Sequence, residues 1–157
     1  MHHLETHGTR PGAALQRGVG LIEVLIAVLV LSIGLLGMAG LQVASMRNNQ
    51  SSYQRGMAVV QGYYIADAMR ADRTNARAGR FNIALGAASP TGSTFAERSV
   101  RDWRTSLGSA MGAGADGSVN CSNGMDLDTL CDIIVTWDDS RATGGSATQQ
   151  IELRVEL

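Results

Sequence analysis

Gly18-Val19-Gly20-Leu21-Ile22-Glu23-Val24-Leu25-Ile26-Ala27-Val28-Leu29-Val30-Leu31 sets the plan of this chain. From Val24 to Met46 run 23 consecutive residues without an ionisable side chain. As a helix rising about 1.5 Å per residue, that run measures roughly 35 Å, enough to cross a hydrocarbon core of about 30 Å. Glu23 stands at its leading edge, with Arg17-Gly18 just ahead. A carboxylate at the rim of a membrane span costs on the order of a few kcal/mol and needs a partner.

A cut between Gly18 and Val19 supplies one. The new α-amino group of Val19 lies four residues before Glu23, on the same helical face, and it can also reach Glu23 of a neighbouring copy. Gly18 is small enough for a protease subsite, and the cut leaves the apolar run on the mature chain. A secretory signal has an apolar core of roughly 7 to 15 residues and is cut after it. This run is longer and is led by Glu23. An uncut single-span anchor leaves Glu23 without its partner.

Charged leader, glycine, four residues, glutamate and a long uncharged run together resemble the class III signal of type IV pilins and pseudopilins. Arg17, Gly18, Val19, Leu21, Ile22, Glu23, Val24 and Leu25 fit that pattern as they stand. The resemblance implies cleavage by a prepilin peptidase after Gly18, N-methylation of Val19, and subunit assembly through Glu23. It implies residues 1–18 as a removed leader, 19–46 as the membrane and polymerisation half of a long helix, and 47–157 as a periplasmic globular domain.

Composition narrows the chemistry. The chain has 157 residues, no lysine and a formal charge of −1. Removing residues 1–18 leaves 11 Arg against 13 acidic residues and takes away His2, His3 and His7. A mature chain without imidazole lacks the commonest general base and metal ligand, which argues against an enzyme and against a metal or other cofactor. No serine, cysteine or carboxylate pair has the helpers that catalysis requires. Arg10 and Arg17 ahead of the span orient the N-terminus to the cytoplasm and the remainder outward, although Arg47 and Arg55 beyond it blur the rule. Cys121 and Cys131 in the exported part most simply bridge each other, worth roughly 3 kcal/mol in the chain-entropy model. Zinc and thiol-redox readings lack the required histidines and Cys-x-x-Cys spacing.

Beyond Arg47 the apolar positions Met57, Val60, Tyr64, Ala68 and Ala71 recur at helical spacing, predicting a face laid against something. With no proline between Pro11 and Pro90, one helix from about 21 to 76 is expected. Gly34, Gly37 and Gly40 weaken it, as points of flexibility or as a close-packing face. Gly40 stands where many major pilins carry a proline. Residues 79–94 read as loop. Thr94-Phe95-Ala96-Glu97 has capping-box spacing, and Ala96, Val100, Trp103, Leu107 and Met111 share a face, so a short helix over about 95–107 is expected.

The last third reads as sheet: a strand near 118–121, another over 132–137, a loop over 138–148, and alternation at Ile151, Leu153, Val155 and Leu157. The fold class is therefore α+β, a long N-terminal helix packed on a small antiparallel sheet with one short helix. Asp126, Asp128 and Asp132 are candidate calcium oxygens, but they lack the glycine and distal glutamate of an EF-hand; a solvated loop is favoured. From Arg47 to Arg104 the net charge is +5, and from Thr105 onward −6. This asymmetry suits contacts between unlike subunits. The arginines at 70–80 have only Phe81 as an aromatic neighbour, a poor platform for nucleic acid.

Asp102-Trp103-Arg104, the cysteine pair around Ser122-Asn123-Gly124, Val135-Thr136-Trp137-Asp138-Asp139 and the wording from Leu31 to Gln42 resemble minor pilins of the PilV kind. The resemblance implies assembly into a tip priming complex. Its partners would be other minor pilins, the major pilin, a large tip adhesin, the prepilin peptidase and the inner-membrane assembly platform. A minor pseudopilin of type II secretion shares the signal and the plan. An anchored periplasmic domain of another role is the third reading.

Overall fold

The computed structural model describes residues 18, 20–123 and 129–157. Helix α1 spans Leu21–Ala71, a short α2 spans Arg73–Arg77, and α3 spans Phe95–Met111. Strands β1 (Asp116–Asn123), β2 (Thr129–Trp137) and β3 (Gln149–Glu156) form one antiparallel sheet in the order β1-β2-β3. The chain divides into two compact units, Met1–Gly40 and Leu41–Leu157.

In the second unit the inward side chains of the sheet form three rows. Gly117, Val135 and Ile151 align, then Val119, Ile133 and Leu153, then Cys121, Cys131 and Val155. Both long helices pack on this face. Leu153 approaches Gly62 of α1 so closely that a Cβ there would lie 2.7 Å from its Cδ1. Trp103 and Leu107 of α3 cover Gly117, where a Cβ would collide with both side chains. Trp103 is fully buried, and its Nε1 donates to the Gln61 carbonyl at 2.9 Å. Gln61 Nε2 donates to Ser106 Oγ at 2.9 Å, so α1 and α3 are joined by hydrogen bonds as well as packing.

Several elements differ from their sequence reading. The single helix expected to about 76 stops at Ala71, because the Asp72 carboxylate accepts from Asn75 N–H and caps a new short helix. Helix α3 passes Gly108 and ends at Gly112, whose φ of 105° no ordinary residue adopts comfortably. Strand β1 extends beyond the expected 118–121 at both ends, β2 starts three residues before the expected 132, and β3 starts at Gln149 and ends at Glu156, one residue before the last alternating position. The face of α1 against the sheet also differs. Ala58, Gln61, Gly62, Ile65, Ala66 and Met69 are buried, while Val60 and Tyr64 are 57% and 52% exposed and Met57 and Ala68 sit at the margin. Ala58, Gly62 and Ala66 let the sheet approach the helix backbone closely, and Ile65 and Met69 fill the space beside them.

The capping box forms as its spacing predicts: Thr94 Oγ1 accepts from Glu97 N–H, and Glu97 Oε2 accepts from Thr94 N–H. The hydroxyl and amide of Thr94 hold the Glu97 carboxyl below its usual range. Across the loop before α3, Arg104 pairs with the Asp116 carboxylate and donates to the Ala87 carbonyl, while Gly86 N–H donates to Asp116 at 2.7 Å. Partial burial pushes the Asp116 carboxyl upward, but the Gly86 amide and the Arg104 guanidinium outweigh it and hold it below the usual aspartate range.

Gly117→Ala is expected to lower the unfolding free energy by about 1–3 kcal/mol, checked by denaturant titration of the full chain in detergent. Because the folded Asp116 pKa is depressed, its contribution is present above the ordinary aspartate value of about 3.9 and fades as pH falls through the folded value. Thermal midpoints measured through acid should fall, and Asp116→Asn should flatten that part of the profile.

Candidate functional site

Helix α1 begins where the sequence signal places the start of the apolar run. The Gly20 carbonyl accepts from Glu23 N–H at 2.9 Å and Val24 N–H at 3.3 Å, forming the first turn. Glu23 lies in that turn, where the positive end of the helix dipole favours a carboxylate. Its side chain is exposed. Gly18 has nothing within 4 Å of the position a Cβ would take. Val19, the expected partner of Glu23, lies outside the described residues.

The helix is long and apolar enough to cross a membrane, and none of its most apolar 18-residue window is buried within the chain. Leu21, Ile22, Val24, Leu25, Ile26 and Leu36 are all more than half exposed. Ser32 Oγ donates to the Val28 carbonyl at 2.7 Å, which satisfies that hydroxyl inside the helix. Gly34, Gly37 and Gly40 have open space where a Cβ would be. Spaced three apart, they stay within roughly a third of the helix circumference.

The second site feature is the cysteine pair. Cys121 and Cys131 stand directly opposite in the β1–β2 register and are disulfide-bonded. Cys121 Sγ also lies 3.7 Å from Met69 Sδ, which ties the bridge to α1. Of the candidate calcium residues, Asp126 and Asp128 lie outside the described residues. Asp132 accepts from Arg154 Nε at 2.6 Å, and that pairing holds the guanidinium pKa above its ordinary value. In the arginine cluster, Arg70 pairs with Asp67 at 2.7 Å and Arg77 Nη2 donates to the Leu157 carbonyl at 3.1 Å. The Arg70 pair is an exposed contact within one helix turn, whereas Arg77 ties α2 to the end of β3.

Sequence reading missed Asp139. It is 4% exposed, and it accepts from Ser51 Oγ at 2.5 Å, fastening the β2–β3 loop to α1. It borders a cleft of about 660 Å³ shared by Met46, Gln50, Met111 and Arg141. The adjacent Asp138 is exposed, and the Ser140 amide holds its carboxyl below the usual range. The Asp139 contact has no local signal, because Ser51 and Asp139 are 88 residues apart.

Comparison with known proteins bears on the N-terminal feature. The family model of the prokaryotic N-terminal methylation motif matches residues 14–39. No curated protein and no solved structure matches the chain. The motif supports the pilin and pseudopilin superfamily and indicates a type IV pilin-like protein, of a pilus or of a type II secretion pseudopilus. Proteins of this class are structural subunits that a prepilin peptidase processes and that assemble with other pilins. Membrane anchoring follows from the same motif together with the apolar helix.

Replacing both cysteines with alanine is expected to lower the stability of the second unit by about 2–3 kcal/mol, read as a lower thermal midpoint under non-reducing conditions.

Proposed function

We propose that this chain is a minor pilin of the PilV kind. In this reading, residues 1–18 are removed, Val19 is N-methylated, residues 19–46 cross the inner membrane from a cytoplasmic N-terminus, and 47–157 lie in the periplasm. The processed subunit joins other minor pilins in a priming complex at the pilus tip. That complex starts polymerisation of the major pilin on the assembly platform and presents a large adhesin. Motility and adhesion follow from it.

One observation carries the reading: the matched motif contains a single carboxylate, Glu23, held in the first turn of a helix that carries no charge over its next 23 residues. In a low-dielectric setting that carboxylate and a neighbouring subunit's amine attract strongly and fix axial register. The exposed face of α1 supports assembly as well. Met46, Gln50, Tyr53, Met57, Val60 and Tyr64 alternate in steps of four and three, the spacing of a helix–helix seam. Tyr53, Val60 and Tyr64 are more than half exposed in the isolated chain. A minor pseudopilin of type II secretion is the second reading, since the matched motif is common to both assemblies.

Mass spectrometry of the mature chain is expected to find N-methyl-Val19; an intact Met1 would sink the proposal. Glu23→Ala should be made and processed normally yet enter filaments at least tenfold less, as judged by blotting sheared pili against membranes. Undiminished incorporation refutes the latch. Incorporation into a secretion pseudopilus instead of pili selects the second reading.

A further inference from the structure

Arg47 closes the uncharged run on the side of the span away from Arg10 and Arg17, where loop arginines are disfavoured. The second unit gives it a setting. It lines the cleft of about 660 Å³ together with Met46 and Gln50 of α1 and with Asp138, Arg141 and Ala142 of the β2–β3 loop. Residues 112–114, just after α3, form the other wall. Two hydrogen bonds hold these walls to the helix. Ser51 Oγ donates to the Asp139 carboxylate at 2.5 Å, and Gln54 Nε2 donates to the Met111 carbonyl at 3.4 Å. The loop is also braced from within: Asp139 N–H donates to the Ser146 carbonyl at 2.9 Å, and Ala142 N–H to the Asp139 carbonyl at 3.0 Å.

The cleft carries charges of both signs. Arg47 and Arg141 are exposed and have no ion pair among the described residues. Asp138 is exposed as well. It accepts from Ser140 N–H at 2.9 Å, and Arg141 favours its ionised form through space. An ionised carboxylate bonded in this way keeps lone pairs for a further donor. A ligand that satisfies this wall presents an anion and a cation side by side.

The position of the cleft says where such a ligand comes from. Beyond a hydrocarbon core of about 30 Å, each side of a bilayer has roughly 5–7 Å of headgroup layer. Met46 ends the uncharged run, and Gln50 stands about 6 Å further along the helix. The lip of the cleft formed by these residues therefore falls at the level of lipid headgroups. A phosphoethanolamine headgroup has the required charges. Its phosphate suits the planar donor forks of two arginines, and its ammonium can donate to Asp138. A phosphoglycerol headgroup would set an anion against Asp138 without a cation to match, and a choline headgroup has no N–H to donate.

We propose that the cleft between α1 and the β2–β3 loop is a headgroup site for a phosphoethanolamine lipid, with Arg47 and Arg141 on the phosphate and Asp138 on the ammonium. The proposal rests on the reading of α1 as a membrane span and adds a ligand to it.

The test uses the full chain in nanodiscs holding equal parts of phosphatidylethanolamine, phosphatidylglycerol and phosphatidylcholine. Native mass spectrometry after gentle release should find phosphatidylethanolamine retained several-fold over the other two. Arg47→Gln combined with Arg141→Gln should lower that retention about tenfold or more, as expected for two arginines near a lipid phosphate. Asp138→Asn should move the preference toward phosphatidylglycerol. All three side chains are exposed, so circular dichroism of these variants should match the parent. Equal retention of the three lipids, a parent that prefers phosphatidylglycerol, or no effect of the arginine pair would each overturn the proposal. A photo-cross-linking residue in place of Ala142 that captures only protein would overturn it too, assigning the cleft to a partner subunit. Alkaline carbonate separates this site from the wider reading. A chain that resists extraction but retains no lipid selectively loses the headgroup site alone, whereas a chain that carbonate extracts loses the membrane span and the site together.

Discussion

Apolar surface that the chain cannot bury by itself governs this molecule. Along the first half of α1, large aliphatic side chains point outward on every side, and none is covered by the described residues. Exposed apolar area of this extent is not tolerated in water, so the surface belongs to a membrane or to other apolar helices. The same constraint explains the composition of the run. The Ser32 hydroxyl is satisfied within the helix by the Val28 carbonyl, and the one carboxylate, Glu23, is confined to the first turn. A lipid bilayer and a bundle of apolar helices are the two surroundings that meet this requirement. Both surroundings accept an all-round apolar cylinder.

The second unit meets a different demand, the burial of a small core on one face of a three-stranded sheet. It does so with a helix that must keep other faces for other contacts. Ala58, Gly62 and Ala66 give α1 a shallow groove into which the sheet settles. Bulkier side chains such as Tyr53, Val60 and Tyr64 remain outside. The largest buried core members are Trp103 and Leu107 of α3, Trp137 and Ile133 of β2, Phe81 of the loop after α2, and Ile65 and Met69, which α1 sends in beside its small residues. Polar bonds from Gln61, Asp139 and Arg104 then fix where each element sits, since apolar burial alone has no direction.

Features that first suggested a minor pilin turn out to have separable structural roles. Trp103 fills the space over Gly117, Arg104 holds the loop before α3 through Asp116, and Asp139 fastens the β2–β3 loop to Ser51. Asp102 is exposed and only 4.0 Å from Arg101 Nε, a surface pair of small worth. The resemblance in this region therefore records how a small α+β head is held together. What the head does for its partners depends on its surfaces.

The sequence by itself determined several properties that rest on local spacing. Glu23 ahead of 23 uncharged residues, the Thr94–Glu97 cap, the buried face of α3 and the alternation in β3 are all set within one or two turns or strands. Long-range choices were decided only in three dimensions. Which face of α1 meets the sheet depends on the fit of Leu153 to Gly62, and helical periodicity alone favoured the bulkier stripe. Ser51 with Asp139, and Asn82 with the edge of β1, join residues far apart in the chain, and no local pattern encodes such a meeting. Hydrophobic periodicity says that a face will be covered; shape and hydrogen-bond geometry select what covers it.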